Sequence, residues 1–151
     1  MDVYRAVSAW QGDTMKQYNK DDSNLILIKE LTDKLNNKER ELIASNNRFF
    51  ALFNHSPLGM MITVNRHIKF ANTRMHTLAG YGEPELIGKS TRILYNTDKE
   101  FEDMGRKIKT CDEFIEPINL KTKQGGSSKC ILKYTKCDQE NYISVYIEAG
   151  I

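Results

Sequence analysis

Between Leu25 and Leu52 the apolar residues keep a heptad rhythm that neither proline nor glycine interrupts. Ile28, Leu31, Leu35, Lys38, Leu42, Ser45, Phe49 and Leu52 follow one another at alternating intervals of three and four. On an α-helix that alternation draws one narrow stripe along one side. The intervening residues are largely Lys, Glu, Asp, Asn and Arg, the composition of a solvated face. The stripe predicts a helix over residues 25–48. It either pairs with a second copy through Ile28, Leu31, Leu35, Leu42 and Phe49 or packs as an amphipathic helix on its own domain. Lys38 and Ser45 are imperfect seam residues, so a paired helix would be adjustable there. Residues 1–24 are mostly polar and show no sustained period around Tyr4, Trp10 and Tyr18. They read as a weakly ordered segment or a short helix. The cluster Asn19 to Asn24 reads as a linker ending in a helix cap.

Residues 49–151 read as the folded domain. A helical turn from Phe49 to Asn54 is stopped by Ser56-Pro57. Leu58 to Val64 and His67 to Ala71 form two strands of a hairpin around the turn Asn65-Arg66. Asn72 caps a short helix over Thr73 to Ala79, and Gly80-Tyr81-Gly82 ends it. Further short helices are expected from Pro84 to Ile87 and from Ser90 to Tyr95. A longer one is expected over Lys99 to Lys109, capped by Thr97 or Asp98. Three strands follow at Glu113 to Thr122, Ser128 to Cys137 and Tyr142 to Glu148, joined by turns at Gln124-Gly125-Gly126 and Asp138 to Asn141. Pro117 inside the first of these is tolerable only at a sheet edge or a bulge. Strands at both ends of the domain with helices between them predict an α+β fold, one antiparallel sheet with helices on one face.

Length and composition narrow the function. A chain of 151 residues holds one domain and an appendage. The net charge of +2 gives no general attraction for nucleic acid or anionic membrane. No apolar run is long enough to span a bilayer, and the N-terminus lacks a signal-peptide pattern, so a cytoplasmic location is expected. Cys111, Cys130 and Cys137 are odd in number and form no Cys-x-x-Cys pair, which fits reduced thiols better than a disulfide scaffold or a zinc site. Ser-His-Asp spacing, a phosphate-binding glycine loop and a His-Glu-x-x-His helix are all missing, so no catalytic residue is assigned and the chain is not expected to be an enzyme.

The stretch Phe53-Asn54-His55-Ser56-Pro57-Leu58-Gly59-Met60 resembles the opening of PAS domains, as does Ile68-Lys69-Phe70-Ala71-Asn72. The segment from Leu78 to Lys89, LAGYGEPELIGK, is similar to that family's "GY…ELIGK" stretch. Lys121 to Ser127 resembles its "R-K-D-G-S" hairpin, with Gln124 in place of the usual Asp. The resemblance covers roughly Arg48 to Ile147. It implies a five-stranded antiparallel sheet with short helices on one face, here behind a long N-terminal helix, and a sensory or interaction role. It also implies a homodimer formed through the preceding helix. An output partner such as a histidine kinase or a cyclic-dinucleotide enzyme would lie on a parent chain or a separate protein.

Within that resemblance, specific cofactors find little support. Haem-binding relatives take a histidine from the long helix, and Lys99 to Lys109 contains none. His55 and His67 belong to turns, and His76 reads as a partly exposed neighbour of the core. The flavin photosensors carry "G-x-N-C-R-F-L", whereas this chain reads Gly88-Lys89-Ser90-Thr91-Arg92-Ile93-Leu94. Thr91 stands in the cysteine place, so covalent flavin photochemistry is not expected, and neither haem nor any other cofactor is favoured. A small apolar ligand remains. Its candidate pocket is Met60, Ile62, Phe70, Met75, Leu78, Leu86, Ile93, Leu94, Met104, Ile108, Ile118, Leu120, Leu132, Tyr134, Val145 and Ile147, with Tyr134 and Arg92 as polar contacts. The same residues could equally form a dry core. The functional expectation is a sensor relaying through its paired helix, and the alternative is a ligand-free docking module.

Overall fold

The computed structural model describes residues 3–150. Met1, Asp2 and Ile151, the ends of the expected N-terminal segment and domain, lie outside the described residues. The chain divides into two compact units, residues up to Arg48 and residues from Phe49 onward.

Helix α1 spans Val3–His55. The segment before Leu25 is therefore helical rather than weakly ordered, and the linker expected at Asn19 to Asn24 is absent. Neither proline nor glycine falls between Asn19 and Asn24 to stop the helix, and its polar side chains are accommodated along it. Ser23 Oγ donates to the carbonyl of Asn19 at 2.8 Å, and Gln17 Nε2 donates to Asp21 at 3.2 Å. These polar side chains bond along the helix instead of capping a new one. The first proline of the chain is Pro57, and α1 ends just before it. In the first unit, the seam residues Ile28, Leu31, Leu35 and Leu42 are all exposed.

The second unit is a five-stranded antiparallel sheet in the order β2-β1-β5-β4-β3. β1 is Gly59–Val64 and β2 is His67–Ala71. β3 is Glu113–Lys121, β4 is Ser127–Lys136 and β5 is Asn141–Glu148. Pro117 lies on β3, an edge strand, as its missing N–H requires. Helix α2 (Thr73–Ala79), a 3-10 turn (Thr91–Leu94) and helix α3 (Asp98–Thr110) join the two groups of strands. Thr97 caps α3, and its hydroxyl accepts from the Glu100 N–H. The expected helix at Pro84 to Ile87 is instead a run of single turns, closed by Glu85 N to Gly82 O at 2.8 Å and Ile87 N to Pro84 O at 2.9 Å. Between Pro84 and Gly88 too few residues remain to nucleate a helix.

The core lies between the sheet and these helices. Met61, Ile68, Met75, Leu86, Leu94, Leu120 and Leu132 are its most deeply buried large side chains. Asn72 is fully buried beside them. Its Oδ1 accepts from the N–H groups of Met60 and Met75, each at 2.9 Å. Its Nδ2 donates to the carbonyls of Phe53 at 2.8 Å and Leu58 at 2.9 Å. One side chain thus caps α2, holds the start of β1 and ties down the last turns of α1.

Asn72→Ala should lose the cap, about 1 kcal/mol, and strand the partners of the remaining bonds at about 1 kcal/mol or more each. A total loss of about 3–5 kcal/mol in urea unfolding is expected. A loss below about 1 kcal/mol would show that the bonds are redundant.

Candidate functional site

Strand parity decides which side chains meet the helices, because alternate residues of a strand face opposite sides. In β1 the buried set is Gly59, Met61 and Thr63. Gly59 fixes the choice. A Cβ there would come within 3.2 Å of Leu78 Cδ2 and 3.3 Å of Met75 Sδ, so this position must sit against α2. In β5 the buried residues are Ser144 and Tyr146, and Ser144 pairs across the sheet with Met61. β4 contributes Cys130, Leu132 and Tyr134 to the same inner face.

The expected pocket splits accordingly. Met60, Ile62, Val145 and Ile147 belong to the opposite, outer face, where Met60 pairs with Val145 and Ile62 with Ile143. Phe70 joins them for a different reason. The register shifts between Ile62 and Thr63, so Ile62 pairs with Phe70 and Thr63 with Ile68. This bulge leaves Ile68 buried and turns Phe70 outward. On that outer face Phe50 meets the Phe70 ring edge to face at 5.4 Å. Met75, Leu78, Leu86, Leu94 and Leu120 are buried core residues, and Ile93 packs partly buried against them.

Met104, Ile108, Leu132 and Tyr134 come together around a cavity of about 300 Å³. Met61, Thr63, Arg66, Thr91, Tyr95, Tyr142, Ser144 and Tyr146 complete most of its wall. A larger hollow of about 700 Å³ includes Met104 and Ile118. Its lining is mostly exposed and includes the charged residues Glu100, Asp103 and Lys129. The smaller cavity is the better candidate because buried polar groups converge on it. Tyr134 is 3% exposed, and its hydroxyl has no hydrogen-bond partner. The Nε of Arg66 is likewise buried and unpartnered.

Arg66 was not foreseen as a site residue. It lies in the hairpin turn with Asn65, both at positive φ (63° and 48°), the geometry of a two-residue turn that suits the strand twist. From there its side chain reaches α3. The guanidinium carbon lies 3.4 Å from the centre of the Phe101 ring, and Nη2 donates to the Phe101 carbonyl. A Cβ on Gly105 would come within 2.5 Å of Arg66 Nη1. That glycine in the middle of a helix, a costly position for it, makes room for the guanidinium. The expected polar contact Arg92 is committed elsewhere, to Asp98 at 2.5 Å and to the Tyr95 carbonyl at 2.9 Å. Thr91 does line the cavity, and its N–H donates to the Arg66 carbonyl at 2.8 Å. His76, expected to be partly exposed, is buried at 4% exposure and lines neither cavity.

Burial raises the hydroxyl pKa of Tyr95 to about 12, against the opposing charge of Arg66. Burial pushes Tyr134 and Tyr146 up as well, and it lowers the Arg66 guanidinium. At neutral pH the tyrosines are therefore neutral hydrogen-bond donors around a cation. A phenol that holds its proton more tightly when folded stabilises the fold fully below its unfolded value of about 10. That contribution disappears as pH rises through the folded value. Urea midpoints should accordingly fall as pH rises from about 10, with tyrosinate absorbance appearing as the protein unfolds. A midpoint constant through that range would contradict the burial of these hydroxyls.

Residues 47–114 match the PAS domain family model. The chain is 33% identical over 94 residues to the sensor protein TdiS of Thauera aromatica, a match covering 60% of this chain but only 17% of that protein. Its fold is similar to the PAS domain of an HTR-like protein from Haloarcula marismortui, with a TM-score of 0.63 at 18% identity, covering 74% of this chain and 98% of the other. It is also similar to a domain of a sensory box sensor histidine kinase/response regulator from Geobacter sulfurreducens, with a TM-score of 0.62 at 17% identity, covering 71% and 96%. The second unit thus has the fold of PAS domains, and residues 47–114 carry that family's sequence pattern.

Proposed function

We propose that this PAS domain takes a small ligand in the cavity under its sheet and relays occupancy through α1, paired with the same helix of a second copy. The observation that carries the reading is that Tyr134 and Arg66, each with a buried polar atom that has no partner, both line one cavity otherwise walled largely by apolar and aromatic side chains. A buried polar atom without a partner costs about 1–3 kcal/mol, which a bound ligand can return. A cavity of about 300 Å³ stands at the small end of the range for ligand sites.

The relay rests on two supports. Asn72 bonds the first residues of β1 and the last turns of α1 through one side chain, so movement of the sheet is felt at Phe53. The exposed stripe Ile28, Leu31, Leu35 and Leu42 suits burial against a second helix, with Phe49 continuing its spacing. Lys38 and Ser45 weaken the seam, which keeps two pairings close in energy. A ligand can then shift the balance by its differential affinity for the two states. The output would be a histidine kinase or cyclic-dinucleotide enzyme, on a longer parent chain or a partner, in the cytoplasm. No helix among the described residues is long and apolar enough to cross a membrane.

A second reading, a ligand-free docking module, is favoured by the outer sheet face. Ile62, Phe70, Ile131, Val145 and Ile147 make it apolar, with Phe50 of the second unit packed against Phe70.

Sedimentation and native mass spectrometry test both. A dimer carrying a stoichiometric small molecule is expected, and replacing Leu31 and Leu35 by Asp should give a monomer that still holds the ligand. A wild-type monomer at every working concentration, with and without ligand, removes the relay. Repeated absence of any bound small molecule hands the case to docking.

A further inference from the structure

The wall of the small cavity carries two basic side chains, Arg66 and Lys109, and no acidic one. Arg66 takes part in none of the ion pairs among the described residues. Its guanidinium is held at one nitrogen by the Phe101 carbonyl and over one face by the Phe101 ring, while Nε stays buried and unpartnered. A cation partly withdrawn from water without a counter-charge carries part of that desolvation cost, and an anion that reaches it recovers some of it. Tyr134 adds a buried hydroxyl free to donate. Met61, Ile108 and Leu132 give the rest of the wall an apolar character.

Resting on the cavity reading above, we infer that the ligand is a small organic acid: a carboxylate read by Arg66 and Tyr134, on an apolar body of about one ring that fills the remainder. Arginine meets carboxylates through charge-assisted bonds in a fixed planar geometry. The cavity of about 300 Å³ limits the body to a small one. Two local costs are borne to place the cation. Arg66 sits at the second turn position, which usually takes glycine because φ is positive. Gly105 sits inside α3, where alanine would suit the helix better. Departures of this kind gather at sites that serve function.

Calorimetric titration of the full chain with benzoate, benzamide and inorganic phosphate tests the inference. Benzoate should bind about tenfold or more tighter than benzamide, the ratio expected for a charge-assisted bond over a neutral one. Phosphate, which lacks the apolar body, should bind more weakly than benzoate. Arg66→Gln should bring benzoate down to the level of benzamide while leaving benzamide unchanged. Gly105→Ala should weaken benzoate similarly without loss of thermal stability, since its methyl displaces the guanidinium while alanine favours the helix. This second variant separates lost binding from lost folding. Equal affinity for acid and amide overturns the inference and leaves the cavity reading intact. So does benzoate binding that is indifferent to Arg66→Gln, or phosphate binding more tightly than benzoate. Binding of none of the three also overturns it, and a different small molecule retained in native mass spectrometry would show that only the acid class had failed.

Discussion

One fully buried amide organises the domain. Asn72 uses two acceptor and two donor bonds at a point where three elements meet: the last turns of α1, the entry to β1 and the first turn of α2. Nothing apolar could replace it, because every partner is a backbone group that would otherwise lie buried and unmet. The backbone adds to the same knot, since the Asn72 N–H donates to the Met60 carbonyl at 3.0 Å. Once Met60 is held, its neighbours Gly59 and Met61 have no choice of face. The parity of β1 sets that of β5 through the pairs Met61 with Ser144 and Thr63 with Tyr142. β4 follows from β5 in turn, through Tyr134 with Ser144 and Leu132 with Tyr146. The cavity wall is thus a consequence of where one cap residue lies.

The order of elements was legible in the sequence because caps, turns and breakers are local. Asn72, Gly80, Thr97 and Asn65-Arg66 each act within a few residues of themselves. Facing was legible only in part. In β4 the lysines at 129 and 133 alternate with Cys130, Leu132 and Tyr134, which marks the inner face at Leu132 and Tyr134. β1 offers no such contrast, since nearly every residue from Leu58 to Val64 is apolar. In β5 the buried residue is Ser144, and its apolar neighbours Val145 and Ile147 drew the reading to the wrong face. Gly59 was the available signal: a glycine within a strand marks close approach of another element. The bulge that turns Phe70 outward has no local signature of this kind. At the N-terminus the misleading signal was a run of cap-forming residues, Asp21 to Asn24, that a continuing helix absorbs through bonds between its own turns.

The residues that carry the family resemblance are those that build the fold. Gly80 takes a left-handed conformation to end α2, and Leu86 is buried under the sheet. Glu85 accepts from the Gly82 N–H and pairs with Lys123. Gly88 and Lys89 exchange backbone bonds with Ile68, at 2.7 and 2.9 Å, and so join this segment to the edge of β2. None of these side chains lines the small cavity. A resemblance carried by such positions identifies the architecture and stays silent on what the small cavity would hold, since other residues line it.

Arg66 is one of the cavity-lining residues, and its placement has a mechanical consequence. It sits in the turn between β1 and β2, and its side chain rests on Phe101 and against Gly105 of α3. The Thr91 N–H holds its carbonyl, so the 3-10 turn is tied to the same residue. A ligand that drew on the guanidinium, as proposed, would therefore act at once on the hairpin turn, α3 and the 3-10 segment. Of these, the hairpin leads back through β1 to Met60, Asn72 and the end of α1. A charge placed elsewhere on the cavity wall, at Lys109 for instance, would touch α3 alone. In the proposed relay, the route from ligand to helix would depend on the cation being carried by the turn.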